Sequence, residues 1–154
     1  MEPITESIVV EAPAAAVWAV VADYGRDVEW RTGVLEMRPE PAGELRAGTT
    51  TQEVIRLGGR TYRNAGLVTR VLPGTRLEWR TTEGAQASGS RTVEPRGSGR
   101  CEVTLELRVV PSGVERVLAP VLRRMLGRNL RGDHVRLAGI VQASALPEGR
   151  PAGV

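Results

Sequence analysis

Hydrophobic and polar residues alternate with a period of two over most of the middle of the chain. The alternation is cleanest between Cys101 and Val109, where the odd positions are apolar and the even positions are polar. Such alternation is typical of half-buried β-strands, and Gly- or Pro-containing turns of hairpin length separate the segments, which predicts an antiparallel meander. The predicted strands are Ile4–Glu11, Val34–Pro39, Thr49–Leu57, Arg60–Leu72, Arg76–Thr82, Ala87–Glu94 and Arg100–Val110.

The period changes to that of a helix between the first two strands. Pro13 occupies a suitable first helical position, and an Ala-rich segment follows to Ala22. The segment 23–33 is predicted to form a short second helix or turn that carries Trp30. One buried helical face is predicted from the spacing of Val17, Val20, Val21 and Tyr24.

A long helix is predicted at the C-terminal end. Ser112 and Glu115 have the spacing of a capping box, so we expect the helix to begin there and to run to about Ser144. Pro120 would then lie inside the helix and kink it. The predicted sheet-facing residues are Leu122, Leu126, Leu130, Leu137 and Val141.

Length and composition indicate one soluble domain. The 154 residues are enough for a single core, which we assign to residues 1–145, with residues 146–154 as a disordered tail. The longest apolar run has nine residues, which is too short to cross a bilayer, and the N-terminus does not resemble a secretion signal. The lone Cys101 suits a reducing compartment, so we expect a cytoplasmic protein.

Charge argues against a nucleic-acid partner. All 21 basic residues are Arg, but the net charge is only +3 and no block of five like charges occurs. The five aromatic residues are scattered, whereas a nucleic-acid surface needs a basic patch with stacking side chains. We therefore expect no nucleic-acid partner. We also expect no membrane partner, because no apolar run can span a bilayer, and we expect a monomer or homodimer.

Five groups of segments have a recognisable pattern of packing and turn residues. They are 7–13 (SIVVEAP) with Val17-Trp18, 28–34 (VEWRTGV), 68–74 (VTRVLPG) with Leu77-Glu78-Trp79, 93–95 (VEP) and 128–131 (RNLR). Together these segments resemble the START/Bet v 1-like superfamily (SRPBCC), in particular its bacterial polyketide cyclase/dehydrase branch. The resemblance covers residues 4 to about 143, and its motifs describe packing and turns more than chemistry.

The resemblance implies an α+β helix-grip fold. A seven-stranded curved antiparallel sheet would wrap around the long C-terminal helix, with two short helices between strands 1 and 2. It also implies a cavity between the sheet and that helix for a hydrophobic or aromatic small molecule. Some members catalyse aldol cyclisation and dehydration, and an Arg of the fourth strand is implicated in them; Arg70 is the nearest match here. Other members only carry or sequester their ligands.

Residue content excludes several chemistries. The chain contains no Lys, one His and one Cys, so a Schiff base and a zinc cluster are both excluded. No nucleotide-binding or nucleophile-elbow motif is present. We expect no metal and no cofactor.

His134 is the first candidate catalytic residue, because its spacing from Leu130 and Leu137 places it on the apolar face of the long helix. A histidine facing the cavity would titrate near neutrality, as a general acid or base requires. The alternatives are an inert surface histidine, or Asp133 as the inward-facing residue and ligand contact.

Arg91 and Glu53 are the next candidates. Counting by two from Val93 places Arg91 inward, and counting from Ile55 places Glu53 on the same face. A direct internal ion pair between them is one possibility; a bulge that reverses either parity and leaves both in solvent is the other.

Further candidates offer hydrogen bonds or flat apolar surface. Arg70 lies on the even face of the longest strand with Val68, and it is a candidate catalytic residue. The candidate ligand-binding residues are Trp30, Tyr62, Asn64, Trp79, Met125, Asn129 and Asp133.

Two functions remain open at this point. The first is a cofactor-independent cyclase or dehydratase for a polyketide-type small molecule, in which Arg or Tyr stabilises an enolate oxygen and His134 or Glu53 moves the proton. The alternative is a non-catalytic protein that binds, transports or sequesters a hydrophobic metabolite.

Overall fold

Seven antiparallel strands and one long helix dominate the architecture, which a computed structural model describes for residues 1–145. The predicted tail, residues 146–154, lies outside the described residues. The strands are β1 Ile4–Val10, β2 Val34–Glu40, β3 Thr50–Leu57, β4 Arg60–Leu72, β5 Arg76–Glu83, β6 Ala87–Pro95 and β7 Cys101–Val109. The helices are α1 Ala14–Val21, α2 Asp27–Trp30 and α3 Ala119–Ala145, with 3-10 turns at Tyr24–Arg26 and Gly113–Arg116.

The strands form a single sheet in the order β1-β7-β6-β5-β4-β3-β2. Strands β2 to β7 are joined by hairpins, and β1 pairs with β7, where Ile4 lies opposite Leu107. The chain between β1 and β2, which holds α1 and α2, therefore connects the two edges of the sheet. This is the predicted helix-grip arrangement, and the predicted fold class is confirmed.

The alternating strand pattern supplies the core. Cys101, Val103 and Leu105 of β7 are buried, as the sequence predicted. They share one apolar cluster with α1 and with the face of α3 that carries Leu126, Leu130, Leu137, Ala138 and Val141. All four residues of the predicted helical face between β1 and β2 are buried: Val17, Val20, Val21 and Tyr24.

The start of α3 differs from the prediction. The capping box of Ser112 and Glu115 is present, but it begins the short 3-10 turn and not the long helix. Pro120 is the second residue of α3, so it lies in the first turn and does not kink the helix. A first-turn proline lacks only an N–H that would have no helical partner, which explains why the helix starts there. No helix in residues 1–145 is both long and apolar enough to cross a bilayer.

A bulge in β4 overturns the prediction for Arg70. The pairing with β5 shifts between Val68, which lies opposite Trp79, and Arg70, which lies opposite Glu78. One extra residue reverses the facing of every later side chain in the strand. Val68 is therefore buried, whereas Arg70 is exposed on the other face.

Candidate functional site

Asp27 and Arg91 form a buried ion pair between α2 and β6. Asp27 is fully buried and accepts two hydrogen bonds from the Arg91 guanidinium, Nη1–Oδ1 at 2.9 Å and Nη2–Oδ2 at 2.6 Å. Arg91 Nη1 also donates to the carbonyl oxygen of Val21 at 2.9 Å. This two-pronged geometry is the arrangement in which a carboxylate best offsets a buried guanidinium charge.

The ion pair extends into a longer polar chain. Arg31 Nη1 donates to Asp27 Oδ2 at 3.1 Å and to Glu53 Oε2 at 2.6 Å. Asn64, which lies opposite Glu53 in the β3–β4 register, donates from Nδ2 to Glu53 Oε1 at 3.2 Å. We call these five residues, Asp27, Arg31, Glu53, Asn64 and Arg91, the polar network.

The network keeps both guanidinium groups charged. Burial opposes the charge on Arg31, but the carboxylates of Glu53 and Asp27 outweigh burial and raise the pKa of Arg31. The pKa of Arg91 is raised in the same way, since Asp27 more than offsets the effect of burial. With two guanidinium groups and two carboxyl groups that carry opposite charges when ionised, the network is balanced within itself.

Two aromatic rings flank the Arg91 guanidinium. Its central carbon lies 4.4 Å from the centre of the Tyr24 ring and 5.0 Å from the centre of the Trp30 ring. Cation–π contacts of this kind stabilise a buried cation and hold its plane in place. Arg91 is therefore fixed by a carboxylate, a carbonyl and two rings.

The Tyr24 hydroxyl is buried and has no hydrogen-bond partner in residues 1–145. Burial raises the pKa of Tyr24 to about 12, with the nearby Arg91 acting in the opposite direction. The hydroxyl is thus a proton donor at neutral pH and not a base. A buried hydroxyl without a partner is costly in free energy, so it is a natural place for a ligand oxygen to bind.

A small cavity of about 30 Å³ lies between the concave face of the sheet and the 3-10 turn at Tyr24–Arg26. Tyr24, Arg31, Glu53, Asn64 and Arg91 line it. Its volume corresponds to about one water molecule, or one oxygen-bearing group of a larger ligand. Half-buried apolar side chains complete the lining, among them Met37, Leu67 and Trp79.

Four of the predicted site residues meet at this cavity: Glu53, Asn64, Trp79 and Arg91. Alternation along the strands therefore correctly predicts that Glu53 and Arg91 lie on the inner face of the sheet. Glu53 and Arg91 do not form the direct ion pair with each other, because Arg91 pairs with Asp27 and Glu53 pairs with Arg31. Trp30 is buried behind Arg91 and does not line the cavity, and its Nε1 has no partner in the described residues.

His134 lies elsewhere, between α3 and the edge strand β1. It is buried, but it does not line the small cavity. Its Nε2 is 2.8 Å from the carbonyl oxygen of Glu6, and since a carbonyl only accepts, Nε2 carries the proton. Burial lowers the pKa of His134, with the hydrogen bond to Glu6 opposing it, so the ring is neutral at physiological pH.

Asp133 is also buried away from the cavity. Its Oδ1 accepts hydrogen bonds from the backbone N–H and the hydroxyl of Thr32, at 2.6 and 2.5 Å. Arg136 donates to the same oxygen at 2.8 Å and to the backbone carbonyl of Trp30 at 2.9 Å. These contacts attach α3 to the end of α2.

The remaining candidates are dispersed. The Tyr62 hydroxyl donates to Glu115 at 3.3 Å, beside the turn that precedes α3. Met125 and Asn129 line a separate groove along α3, and Arg70 is exposed on the sheet. None of these four lines the small cavity.

Three site residues were not predicted from the sequence: Asp27 and Arg31, which complete the polar network, and Tyr24, which lines the cavity. Their spacing of three and four residues was the available signal, because it places all three on one face of a helical segment. An inward Arg91 also required an acidic partner. Asp27 satisfies both conditions.

Comparisons with known proteins agree with this architecture. The Zhui aromatase/cyclase from Streptomyces sp. R1128 superposes with a TM-score of 0.79 at 15% identity, over 99% of each chain. A START superfamily protein from Mycobacterium smegmatis superposes with a TM-score of 0.75 at 14% identity, over 93% of this chain and 99% of that one. Similarities at this level of identity show the fold alone.

A two-domain relative is also similar. The di-domain ARO/CYC BexL from the BE-7585A biosynthetic pathway superposes with a TM-score of 0.75 at 18% identity. The alignment covers 96% of this chain and 48% of BexL, so this chain spans about half of that protein. The search of curated proteins finds no match.

The family assignment rests on sequence as well as shape. Residues 1–142 match the family described as polyketide cyclase/dehydrase and lipid transport, which is nearly the whole chain. The resemblance noted in the sequence is thereby confirmed. The chain belongs to the polyketide cyclase/dehydrase and lipid transport family.

Proposed function

We propose that the chain binds a hydrophobic or aromatic polyketide-type molecule at the small cavity and catalyses its cyclisation or dehydration without a cofactor. The observation that carries the proposal is that Tyr24, whose buried hydroxyl has no partner in residues 1–145, lines the same cavity as Glu53. A proton donor and a proton acceptor in one small space are what enolate chemistry requires.

The charge balance of the network favours a neutral carbonyl as the group bound at Tyr24. Arg31 and Arg91 are already paired with Glu53 and Asp27, so neither of these two cations is free to pair with a carboxylate ligand. The apolar side chains at Met37, Leu67 and Trp79 favour a flat hydrophobic body for the rest of the molecule. Because the cavity has room for only one oxygen-bearing group, the rest of the ligand displaces the half-buried side chains of Met37, Leu67 and Trp79.

The proposed reaction begins at the carbon next to that carbonyl. Glu53 takes a proton from this carbon, the C–H electron pair forms the enolate, and the Tyr24 hydroxyl donates to the oxygen that gains negative charge. The enolate carbon then attacks a second carbonyl of the same substrate molecule and closes a ring. The proton held by Glu53 goes to the alkoxide that this attack forms and converts it to a hydroxyl. In the dehydration step Glu53 takes a second proton from the same α-carbon, the C–H electron pair forms the new C=C bond, and the proton passes to the hydroxyl, which leaves as water.

His134 is the less favourable candidate for this proton transfer. Its Nε2–H is already donated to the Glu6 carbonyl, and the ring does not line the cavity. The proposal therefore assigns proton transfer to Glu53 and leaves His134 to hold α3 against β1.

The first reaction step can be tested without the natural substrate. We expect the chain to accelerate exchange of the α-hydrogens of α-tetralone, a flat bicyclic ketone, in deuterated water, measured by mass spectrometry. Tyr24→Phe and Glu53→Gln should each lower this rate about a hundredfold, as loss of an oxyanion donor or a general base does.

Tyr62→Phe is the matched control, because Tyr62 is the only other tyrosine and does not line the cavity. It should exchange at the wild-type rate. Binding of tetralone can be measured by quenching of tryptophan fluorescence. Binding without any exchange would instead support the carrier function. A chain that neither binds nor exchanges the ketone would contradict both functions.

A further inference from the structure

Apolar side chains are exposed together where the 3-10 turn at Gly113–Arg116 meets α3. Val114 and Val117 are 79% and 80% exposed, and Leu118 and Val121 are 55% and 65% exposed. We call these four residues the aliphatic tip. Scattered exposed apolar residues need no explanation, but four within eight consecutive positions form a patch.

Arginines outnumber acidic residues around the aliphatic tip. Residues 116–132 contain no Asp or Glu. Arg116, Arg124 and Arg128 are exposed and form no salt bridge within residues 1–145, whereas Glu115, the nearest acidic residue, is 3.8 Å from Arg60. A groove of about 840 Å³ continues from the tip along α3, and its lining includes Val121, Arg124 and Arg128.

We propose that the aliphatic tip and its arginines dock on an anionic phospholipid surface. Aliphatic side chains on a helical segment flanked by cations are the composition of interfacial segments, in which the apolar face enters the bilayer and the cations contact headgroups. A stable protein partner needs about 20–30 residues on each side, which is far more than this patch offers. The tip contains aliphatic residues only, so it lacks the aromatic anchors that protein interfaces favour.

This docking differs from crossing a membrane. The sequence predicted no membrane partner because no segment is long and apolar enough to cross a bilayer, but a surface contact needs neither property. The proposal is also independent of the reaction at Tyr24, since none of the residues of the tip lines that cavity.

Vesicle co-sedimentation of the full chain tests the docking. We expect binding to vesicles of phosphatidylcholine with phosphatidylglycerol and little binding to phosphatidylcholine alone, with weaker binding at high salt. Arg124→Gln with Arg128→Gln should lower the affinity at least tenfold, because each Arg near an anionic surface contributes about fivefold. Val117→Ser with Val121→Ser should lower it by a similar factor through lost apolar insertion.

The matched control is Arg63→Gln with Arg108→Gln, which removes the same two charges from exposed positions on the strands. It should bind the anionic vesicles like the wild type. An equal loss of affinity in this control, or full binding by the Val117→Ser, Val121→Ser variant, would show non-specific charge attraction and overturn the proposal.

Two further outcomes would also overturn it. One is absence of binding to anionic vesicles. The other combines two results: vesicle binding is absent, and size-exclusion chromatography shows a dimer that the Val117→Ser, Val121→Ser variant does not form. The aliphatic tip would then be covered by a second copy of the chain.

Discussion

Two regions of the molecule bury titratable side chains, and they do so in different ways. At the polar network, Asp27 and Arg91 are buried beside a small cavity, and the Tyr24 hydroxyl next to them has no partner. Where α3 meets β1 and α2, His134 and Asp133 are equally buried, but their hydrogen bonds go to backbone and to Thr32 or Arg136. We call this second region the helix seam.

The comparison shows that burial of a polar group does not by itself identify a reactive site. His134 has a perturbed pKa and an unpartnered Nδ1, yet it faces a strand edge and does not line the small cavity. Tyr24 has a raised pKa and an unpartnered hydroxyl, and this residue lines the small cavity. Space for a ligand atom is what separates the two regions.

The largest expected effect on stability is at the network. Asp27→Ala leaves the Arg91 guanidinium buried without its carboxylate, which should lower the free energy of unfolding by about 3–5 kcal/mol. Urea denaturation monitored by circular dichroism measures this. Asp23→Ala, at an exposed position a few residues earlier, should change stability by less than about 0.5 kcal/mol. A loss below about 1 kcal/mol at Asp27 would mean that the network does not support the fold.

A smaller effect is expected at the helix seam, and it should depend on pH. The folded-state pKa of His134 is lowered below 6.5, so the unfolded chain binds the proton more readily. Stability from this group is thus fully present above pH 6.5 and is lost as pH falls through the folded-state pKa. Melting temperatures between pH 7.5 and 5 measure the loss.

His134→Leu removes the titration and the hydrogen bond to Glu6 together. It should cost about 1–2 kcal/mol at pH 7.5 and flatten the decline in stability toward pH 5. The carboxylates nearest to His134, those of Asp133 and Glu6, remain in this variant. If stability declines toward pH 5 as steeply in the variant as in the wild type, the pH dependence comes from these carboxylates. If the variant loses ketone exchange without losing stability, His134 takes part in the reaction.

The smallest effect on stability is expected at Tyr24. Because its hydroxyl has no partner in residues 1–145, Tyr24→Phe should leave the free energy of unfolding unchanged or raise it by up to about 1 kcal/mol. Chemical denaturation of the same preparation used for ketone exchange checks this. A clear destabilisation would show that the hydroxyl already has a structural partner and would weaken the proposed role.

Local patterns predicted the fold because they report burial directly. The odd residues of β7 and the helical spacing from Val17 to Tyr24 show which faces meet the core. The β4 bulge was not visible in this way, since one inserted residue changes facing without changing composition. Pro120 was misplaced for a similar reason, because a proline fits both a helix start and a helix kink.

The site was predicted only in part because it depends on pairs of distant residues. Parity along β3 and β6 placed Glu53 and Arg91 inward, but it could not choose their partners. That choice depends on how α2 crosses the sheet, which brings Asp27 to Arg91 and Arg31 to Glu53. For His134, the spacing predicted burial correctly, whereas the distance from α3 to the edge strand determines what it contacts.

The contacts that α3 makes with β1 also bear on self-association. The outer side of β1 and of the residues before it presents backbone carbonyls that a strand of another molecule could pair with. Arg123 donates to the carbonyls of Glu2 and Pro3, and His134 occupies that of Glu6. At the opposite edge, β2 carries Pro39, which offers no N–H. Both edge strands of the sheet are thereby protected against the edge-to-edge pairing that leads to fibrils. Loosening of α3 at low pH would therefore make the protein prone to aggregation as well as less stable.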